Sequence, residues 1–479
     1  MCSRIYVTTT IPYVNARPHV GFALELVQAD AIARYNRLLG NDTRFQTGTD
    51  ENAFKNVLAA RARGLDTQQF VDGNAEAYRQ LVAALRISAD EFIRTTEDRH
   101  RCGVHAFWKR IRPEDIYRRR YGGLYCAGCE DFYLDKDLVD GRCPDHGTAP
   151  AEVEEENYFF RLSAYQARIE ELLATEQVRI VPARRSREVL NFVRGGLRDF
   201  SISRDARRSG GWGIGVPGDG SQVIYVWVDA LINYLSGLGF GRGDDWQKSW
   251  HGQVRKLHVI GKNVWKFHAV YWPALLLSAG LPLPNEIVVH GFLTLEGQKI
   301  SKSLGNTIDP IACVEEFGPD AVRYYLLKGI PPFDDGDFSA ERLRLLYNTD
   351  LANGLGNLVS RVTSLAERAR FGRYDGPASP AAPEAYSQAL QRHESDKALE
   401  ALWQIVTRLN RDIDSARPWE AIKAGEDRML KGRLTEWLGE LHRVGYWLRP
   451  LLPDAGEKVL DAIASRPIRS CEPLFPRVK

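Results

Sequence analysis

Residues 5–10 (Ile5, Tyr6, Val7 and three threonines) are all β-branched or aromatic, a run that suits a buried strand. Pro12 and Pro18 break the run before a helical pattern begins near His19. A second strand-like run, residues 43–47, ends in Gly48-Thr49-Asp50, and a third, residues 256–260, ends in Gly261-Lys262-Asn263 ahead of an apolar helix. Strands alternating with helices predict a parallel sheet with its ligands at the carboxyl ends of the strands. Residues 117–226 lose this alternation and become polar and turn-rich, as an inserted domain would. Beyond about residue 341 the period changes: Leu351, Leu355, Leu358, Val362 and Leu365 recur at steps of four and three, one apolar stripe of an amphipathic helix. A Gly-, Pro- and Ala-rich stretch, residues 372–383, interrupts the pattern, which resumes at Tyr386 and predicts a helix bundle. The fold class expected is α/β: a Rossmann-like parallel-sheet domain with an insertion, followed by an all-α bundle.

Size agrees with several units, since 479 residues at roughly 150 per domain allow about three. Hydrophobic residues make up 44% and charged residues 26%, the balance of a folded globular chain rather than a disordered one. A formal net charge of +2 excludes a bulk polycation, so any nucleic-acid site must be local. Residues 1–7 lack the apolar core of a secretory signal, and the longest apolar stretch, residues 274–281, is too short to span a bilayer. The expectation is a cytoplasmic chain with no membrane partner.

Seven cysteines make no even framework, but Cys126-Ala127-Gly128-Cys129 and Cys143-Pro144-Asp145-His146 are two ligand pairs with two residues between each. Three thiolates and an imidazole complete a tetrahedral Zn2+ shell with no position left for a catalytic water, so the expected zinc is structural. A redox Cys-x-x-Cys beside an unrelated Cys and His is the alternative reading. Near the N-terminus, Pro18-His19-Val20-Gly21-Phe22 sits where strand gives way to helix. Helix-end amides, close backbone approach at Gly21 and a His19 donor are apt for phosphate, although His-x-Gly alone is a weak signal. Lys299, Ser301, Lys302 and Ser303 lie between Gly297 and Gly305, a cationic loop able to close over a polyphosphate, where a solvated surface loop is the bland alternative.

With both elements in one chain, the sequence resembles the class I aminoacyl-tRNA synthetases, whose signatures are His-x-Gly-His and Lys-Met-Ser-Lys-Ser. The second reads Lys299-Ile300-Ser301-Lys302-Ser303 here. Longer runs look like methionyl-tRNA synthetases of the one-knuckle zinc type: Thr47-Gly48-Thr49-Asp50-Glu51, Phe92 to Asp98, Glu155 to Phe160, Tyr225-Val226-Trp227-Val228-Asp229-Ala230 and His290-Gly291-Phe292. The resemblance spans about residues 4–448. It implies a catalytic domain in two parts (1–116 and 227–290), an inserted connective domain with the zinc knuckle (117–226), a signature-loop or stem-contact region (291–341) and an anticodon-binding bundle (342–479).

By this resemblance the chain is a methionine-tRNA ligase that makes methionyl-adenylate from ATP and passes the acyl group to tRNA(Met). Ile11, Tyr13, Trp227, Ala230, Leu231, Tyr234 and His290 would line an apolar, polarizable methionine pocket, with the Tyr234 hydroxyl near the sulfur. Asp50 would accept from the substrate ammonium. His19 and Gly21 would hold ATP phosphate, and Lys299, Ser301 and Lys302 the leaving pyrophosphate together with Mg2+. Asn357 and Arg361, four apart on one helix face, and Trp419 would read the anticodon, two groups to bond base edges and one to stack. With no appended C-terminal module, a monomer is expected.

The family's second signature histidine is Phe22 in this chain, and a phenyl ring cannot donate to phosphate. One lost donor to developing charge costs about 2.7–4 kcal/mol, roughly 100- to 1000-fold in rate. Asp50-Glu51-Asn52-Ala53 replaces the usual Asp-Glu-His-Gly, Gly261-Lys262-Asn263 the usual Gly-Lys-Asp, and Gly215 the proline of Trp-Gly-Ile-Pro. Three expectations follow: a working ligase in which Asn52 or another donor compensates, an inhibitor-resistant or biosynthetic paralogue, or a silent tRNA binder.

Overall fold

The computed structural model describes residues 3–126, 131–133, 135–144, 147–299, 308–424 and 427–478. The chain divides into two compact units, each discontinuous in sequence: residues 1–18, 41–80 and 89–289 form the first, and residues 19–40, 81–88 and 290–479 the second.

A six-stranded sheet underlies the first unit. Its strands are β1 (Arg4–Thr9), β2 (Asp42–Thr49), β3 (Glu91–Arg94), β4 (Arg179–Val181), β5 (Val254–Gly261) and β6 (Glu286–His290), in the spatial order β3-β2-β1-β5-β6-β4. β1 runs parallel to β2 and to β5, β2 to β3, and β6 to β4. Every residue of β1 after Arg4 and every residue of β6 is buried, as a sheet covered on both faces requires. The three strands expected from composition are β1, β2 and β5, each displaced by no more than two residues. Chain order reverses across β1, which has β2 on one side and β5 on the other, so a ligand crevice is expected at the carboxyl ends of these strands.

Between β3 and β5 the chain also builds two antiparallel sheets. Ile116–Cys126 and Ala151–Phe160 form a long pair flanked by Asp131–Tyr133 and Phe200–Ser201, and a second sheet joins Ser203–Asp205, Gly215–Val216 and Asp219–Ile224.

In the second unit, α1 (Val20–Leu38) is buried along most of its length. Arg323, fully buried, holds Asp30 of α1 at 2.7 Å and donates to the carbonyls of Leu85, Pro450 and Leu451. Four acceptors around one guanidinium offset its desolvation, while Asp30 also pairs with Arg34 at 2.7 Å and accepts from Ser88. The expected apolar stripe is real: Leu351, Leu355, Leu358, Val362 and Leu365 are all buried. Its backbone is not one helix, however. Tyr347–Gly356 is π-helical and passes into the α-helix Asn357–Arg368. A hydrophobic pattern records which face is buried, not whether a turn is widened. The stretch after Pro467 is tied to the same π-helix: Tyr347 Oη donates to Pro476 O at 2.7 Å and Asn348 Nδ2 to Val478 O at 3.0 Å.

Candidate active site

In the first unit the loop leaving β1 is pinned by the residue that ends β2. Asp50 N–H donates to Pro12 O at 2.9 Å, and Val14 N–H donates back to Asp50 O at 3.3 Å. The Asp50 carboxylate, buried at the strand end, takes the Asn52 N–H at 3.3 Å. Tyr13 meets Trp227 edge-on at 5.8 Å, Trp227 stacks on Phe267 at 3.9 Å and 7°, and Ile11 packs with Ile93 and Ala230. Leu231 is buried one residue further along the helix Val226–Leu231. Ile11, Tyr13, Asp50, Trp227, Ala230 and Leu231 therefore converge on the loop at the carboxyl ends of β1 and β2.

Tyr234 is buried, and its hydroxyl lies 2.7 Å from His268 Nε2. The other ring nitrogen, Nδ1, faces the carbonyl of Val264 at 3.0 Å. In the neutral ring Nδ1 must carry the proton, so Nε2 accepts from Tyr234 and the phenol oxygen presents lone pairs elsewhere. The Tyr234 ring also lies on His258, whose pKa burial pushes well below the ordinary value, helped by His268 and Lys256, so this floor is uncharged. His268 was not among the residues expected from sequence. Its signal was positional: it follows Gly261-Lys262-Asn263 by one helical turn, four residues after Val264. His290, expected in the pocket, belongs to the second unit. There its Nε2 lies 2.8 Å from Glu25 and its Nδ1 2.7 Å from Gly291 O, so both ring nitrogens are engaged. His268 is thus the partner of the Tyr234 hydroxyl.

A second buried chain runs behind the pocket wall. Asp229 accepts from Asn52 Nδ2 at 2.7 Å and lies 2.5 Å from His100 Nε2, while His100 Nδ1 lies 2.7 Å from Ser236 Oγ. Asn52 Nδ2 donates its other proton to Thr95 O at 3.1 Å. Both neighbours are acceptors, which fixes the amide orientation: the nitrogen faces inward and Oδ1 faces the cleft shared with Phe54, Tyr125, Arg204 and Trp212. Both protons of Asn52 Nδ2 are thus taken by Thr95 and Asp229 in this structure.

In the second unit His19 caps α1. Its Nδ1 accepts from Gly21 N–H at 3.1 Å, so the neutral ring keeps its proton on Nε2. A Cβ at Gly21 would come within 2.9 Å of the His19 ring, so a side chain there would displace the capping imidazole. Phe22 is buried. The signature loop begins as a hairpin, Leu293–Leu295 with Gln298–Lys299, tied by Asp337, which accepts from Gly297 N–H and Thr294 Oγ1. Ser301 and Lys302 lie outside the described residues. Where the chain re-enters them, Ile308 O accepts from Val20 N–H at 3.2 Å. Two segments nearly three hundred residues apart thus meet at the first turn of α1.

Asn357 is exposed on its helix. Arg361 pairs with Asp414 at 2.5 Å and lies 3.4 Å from Asn410 Oδ1, and Trp419 is 40% exposed on the adjoining helix Pro418–Ala424. Cys126 and Cys143 are buried, their sulfurs 3.9 Å from Thr148 Oγ1 and 3.6 Å from the Tyr133 hydroxyl. Cys129 and His146 lie outside the described residues, and no metal-ligand cluster is found among the described ones.

The parallel sheet with its switch point at β1 in the first unit, and the two signature segments at His19 and Lys299 in the second, are those of a class I aminoacyl-tRNA synthetase. A family model described as tRNA synthetases class I (M) matches residues 5–155 and 136–363. The chain is similar to methionine–tRNA ligases of Thermotoga maritima (39% identity, covering 96% of this chain and 75% of the relative) and Brucella suis (40%, covering 96% and 92%). A solved structure of Mycobacterium tuberculosis methionyl-tRNA synthetase in complex with methionyl-adenylate superposes with a TM-score of 0.90 at 37% identity, covering 99% of this chain and 100% of that one. The chain belongs to the methionyl-tRNA synthetase family.

Proposed function

We propose that this chain is a working methionine-tRNA ligase: it activates methionine with ATP to methionyl-adenylate and transfers the methionyl group to tRNA(Met). The observation that carries the reading is the intact amino-acid side of the site. Tyr13, Trp227 and Phe267 form an aromatic wall, and Tyr234, held by His268, leaves phenol lone pairs at an uncharged floor. That suits a polarizable thioether. Asp50 accepts from the substrate ammonium. His19, through Nε2–H at the α1 cap beside Gly21, holds ATP phosphate, and Lys299, Ser301 and Lys302 hold the leaving pyrophosphate. Mg2+ bound to the nucleotide neutralises phosphate charge. In-line attack of the methionine carboxylate on the α-phosphorus then needs positioning and charge stabilisation but no covalent protein intermediate.

Asn357, Arg361 and Trp419 read the anticodon, with Arg361 exchanging Asp414 for a base edge. Cys126, Cys129, Cys143 and His146 hold a structural zinc, and the two buried thiols beside Thr148 and Tyr133 fit that role. The chain acts as a cytoplasmic monomer. Among the described residues no helix is long and apolar enough to cross a membrane.

Methionine-dependent ATP/pyrophosphate exchange tests the reading, with Phe22→His beside it. Exchange by the unaltered protein that rises in the variant supports it. No exchange until histidine is restored would convert the chain into a silent tRNA binder.

A further inference from the structure

Two carboxylates stand side by side at the end of β2, and the reading above uses only one of them. Asp50 is given to the substrate ammonium, whereas Glu51, fully buried, turns to Arg94 at the end of β3. Arg94 holds it with both arms of its guanidinium, Nε to Oε1 at 2.7 Å and Nη2 to Oε2 at 2.9 Å. Thr49 Oγ1 donates to Oε1 at 2.7 Å and Thr96 Oγ1 to Oε2, so each carboxylate oxygen takes two donors. Arg94 Nη2 also reaches Asp72 on the helix Thr67–Ala84. The same helix holds the loop leaving β1: Asn74 Nδ2 donates to Val14 O at 2.7 Å and the Tyr78 hydroxyl to Tyr13 O at 3.5 Å. The backbone around Asp50 is tied as closely. Asn56 Nδ2 bridges the carbonyls of Asp50 and Glu51 at 3.3 and 2.9 Å, Trp212 Nε1 donates to Glu51 O at 2.8 Å, and Glu51 N–H donates to Thr95 Oγ1 at 2.8 Å.

Well-packed apolar side chains often stabilise a fold as much as a buried ion pair does, so what this pair adds is placement. Adjacent carboxylates repel, and neutralising Glu51 leaves the negative charge of the loop on Asp50, where a cationic ligand can use it. The guanidinium fork fixes direction as well as charge, one residue away from the acceptor. We propose that Arg94 is a positioning residue for the substrate ammonium: acting through Glu51 and braced by Asp72, it sets the direction and the charge of Asp50 without touching methionine. The proposal rests on the reading of Asp50 as the ammonium acceptor and extends it to the residues that hold Asp50 in place.

Two ligands that differ only in the ammonium separate this role from a structural one: methionine, and γ-(methylthio)butyrate, the same molecule with hydrogen in place of its amino group. Their Kd values are measured by titration calorimetry, without ATP, on the full chain and on its Arg94→Gln, Arg94→Lys and Asp50→Asn variants. Arg94→Gln should weaken methionine about tenfold and the deaminated ligand less than about twofold, a selectivity that a loosened pocket would not show. Arg94→Lys keeps the charge and loses the fork, so it should hold methionine to within about threefold of the unaltered protein. It also keeps the test standing if the neutral variant, which leaves Glu51 buried without a cation, fails to fold. Asp50→Asn should lose methionine selectively and by more than either. Equal losses of both ligands in the Arg94 variants, or no loss, beside a selective loss in Asp50→Asn would overturn the proposal and leave the ammonium reading standing. A loss in Asp50→Asn that does not distinguish the two ligands would overturn that reading, and the proposal with it.

Discussion

Replacing Asp229 separates the charge of the buried chain behind the pocket from its geometry. The carboxylate is fully buried and accepts from Asn52 Nδ2 at 2.7 Å and from His100 Nε2 at 2.5 Å. Asp229→Ala strands both donors. Each buried donor left unsatisfied costs about 1–3 kcal/mol, so about 2–6 kcal/mol is expected for the two together. Asp229→Asn behaves differently, because its amide oxygen can keep the Asn52 bond while its nitrogen turns to His100. A neutral His100 can then move its proton to Nδ1, donate to Ser236 Oγ and accept at Nε2. Every group stays paired and only the charge assistance is lost, about 1–2 kcal/mol. Because the chain has two units, the comparison uses the urea midpoint and slope of the transition that reports the first unit, not a whole-chain two-state fit. Nitrogen-15 shifts of the His100 ring report the tautomer. Equal losses in the two variants, or a loss below about 1 kcal/mol in Asp229→Ala, would refute the argument that hydrogen-bond matching rather than charge holds this wall.

Tyr234→Phe removes the hydroxyl that His268 Nε2 accepts; the KM for methionine in exchange should rise about tenfold, the worth of one buried hydrogen bond, with the KM for ATP unmoved. Asp320 is buried, and desolvation raises its pKa from 3.8 to about 6 despite Arg323 and the Ala455 amide. A carboxyl whose folded pKa lies above its unfolded value favours the fold most at low pH, so stability falls as pH rises from about 4 to 6 and then levels. Asp320→Asn should flatten that window by roughly 2–3 kcal/mol in a pH series of urea midpoints, and an unchanged slope would contradict it. Cys126→Ser or Cys143→Ser should lower bound zinc from one equivalent toward zero by metal analysis while the β1–β6 sheet stays folded; full occupancy in both would remove these thiols from the zinc shell.

Strand runs, the apolar stripe from Leu351 to Leu365 and the two signature segments were legible because each is encoded by short-range periodicity or by adjacent chemistry. The roles of His268 and His290 were not. Both are single histidines near a strand end, and only packing shows that Val264 and Tyr234 fix one while Glu25 and Gly291 fix the other. Asn52 shows the same limit more sharply. An amide carries donors and an acceptor alike, and which of them reaches the cleft depends on Thr95 and Asp229, respectively 43 and 177 residues away along the chain.

By itself the sequence determined the family, the parallel sheet and the helical end, because local spacing and runs of matching residues carry that information without a partner. Tertiary structure alone decided that Val20 of α1 meets Ile308 at the end of the lysine loop, that α1 clusters with the C-terminal half through Asp30 and Arg323, and which polar atom each buried side chain turns toward the site. Those outcomes depend on contacts between residues tens to hundreds of positions apart, and a hydrogen bond's direction is set by what lies opposite it rather than by the residue that makes it.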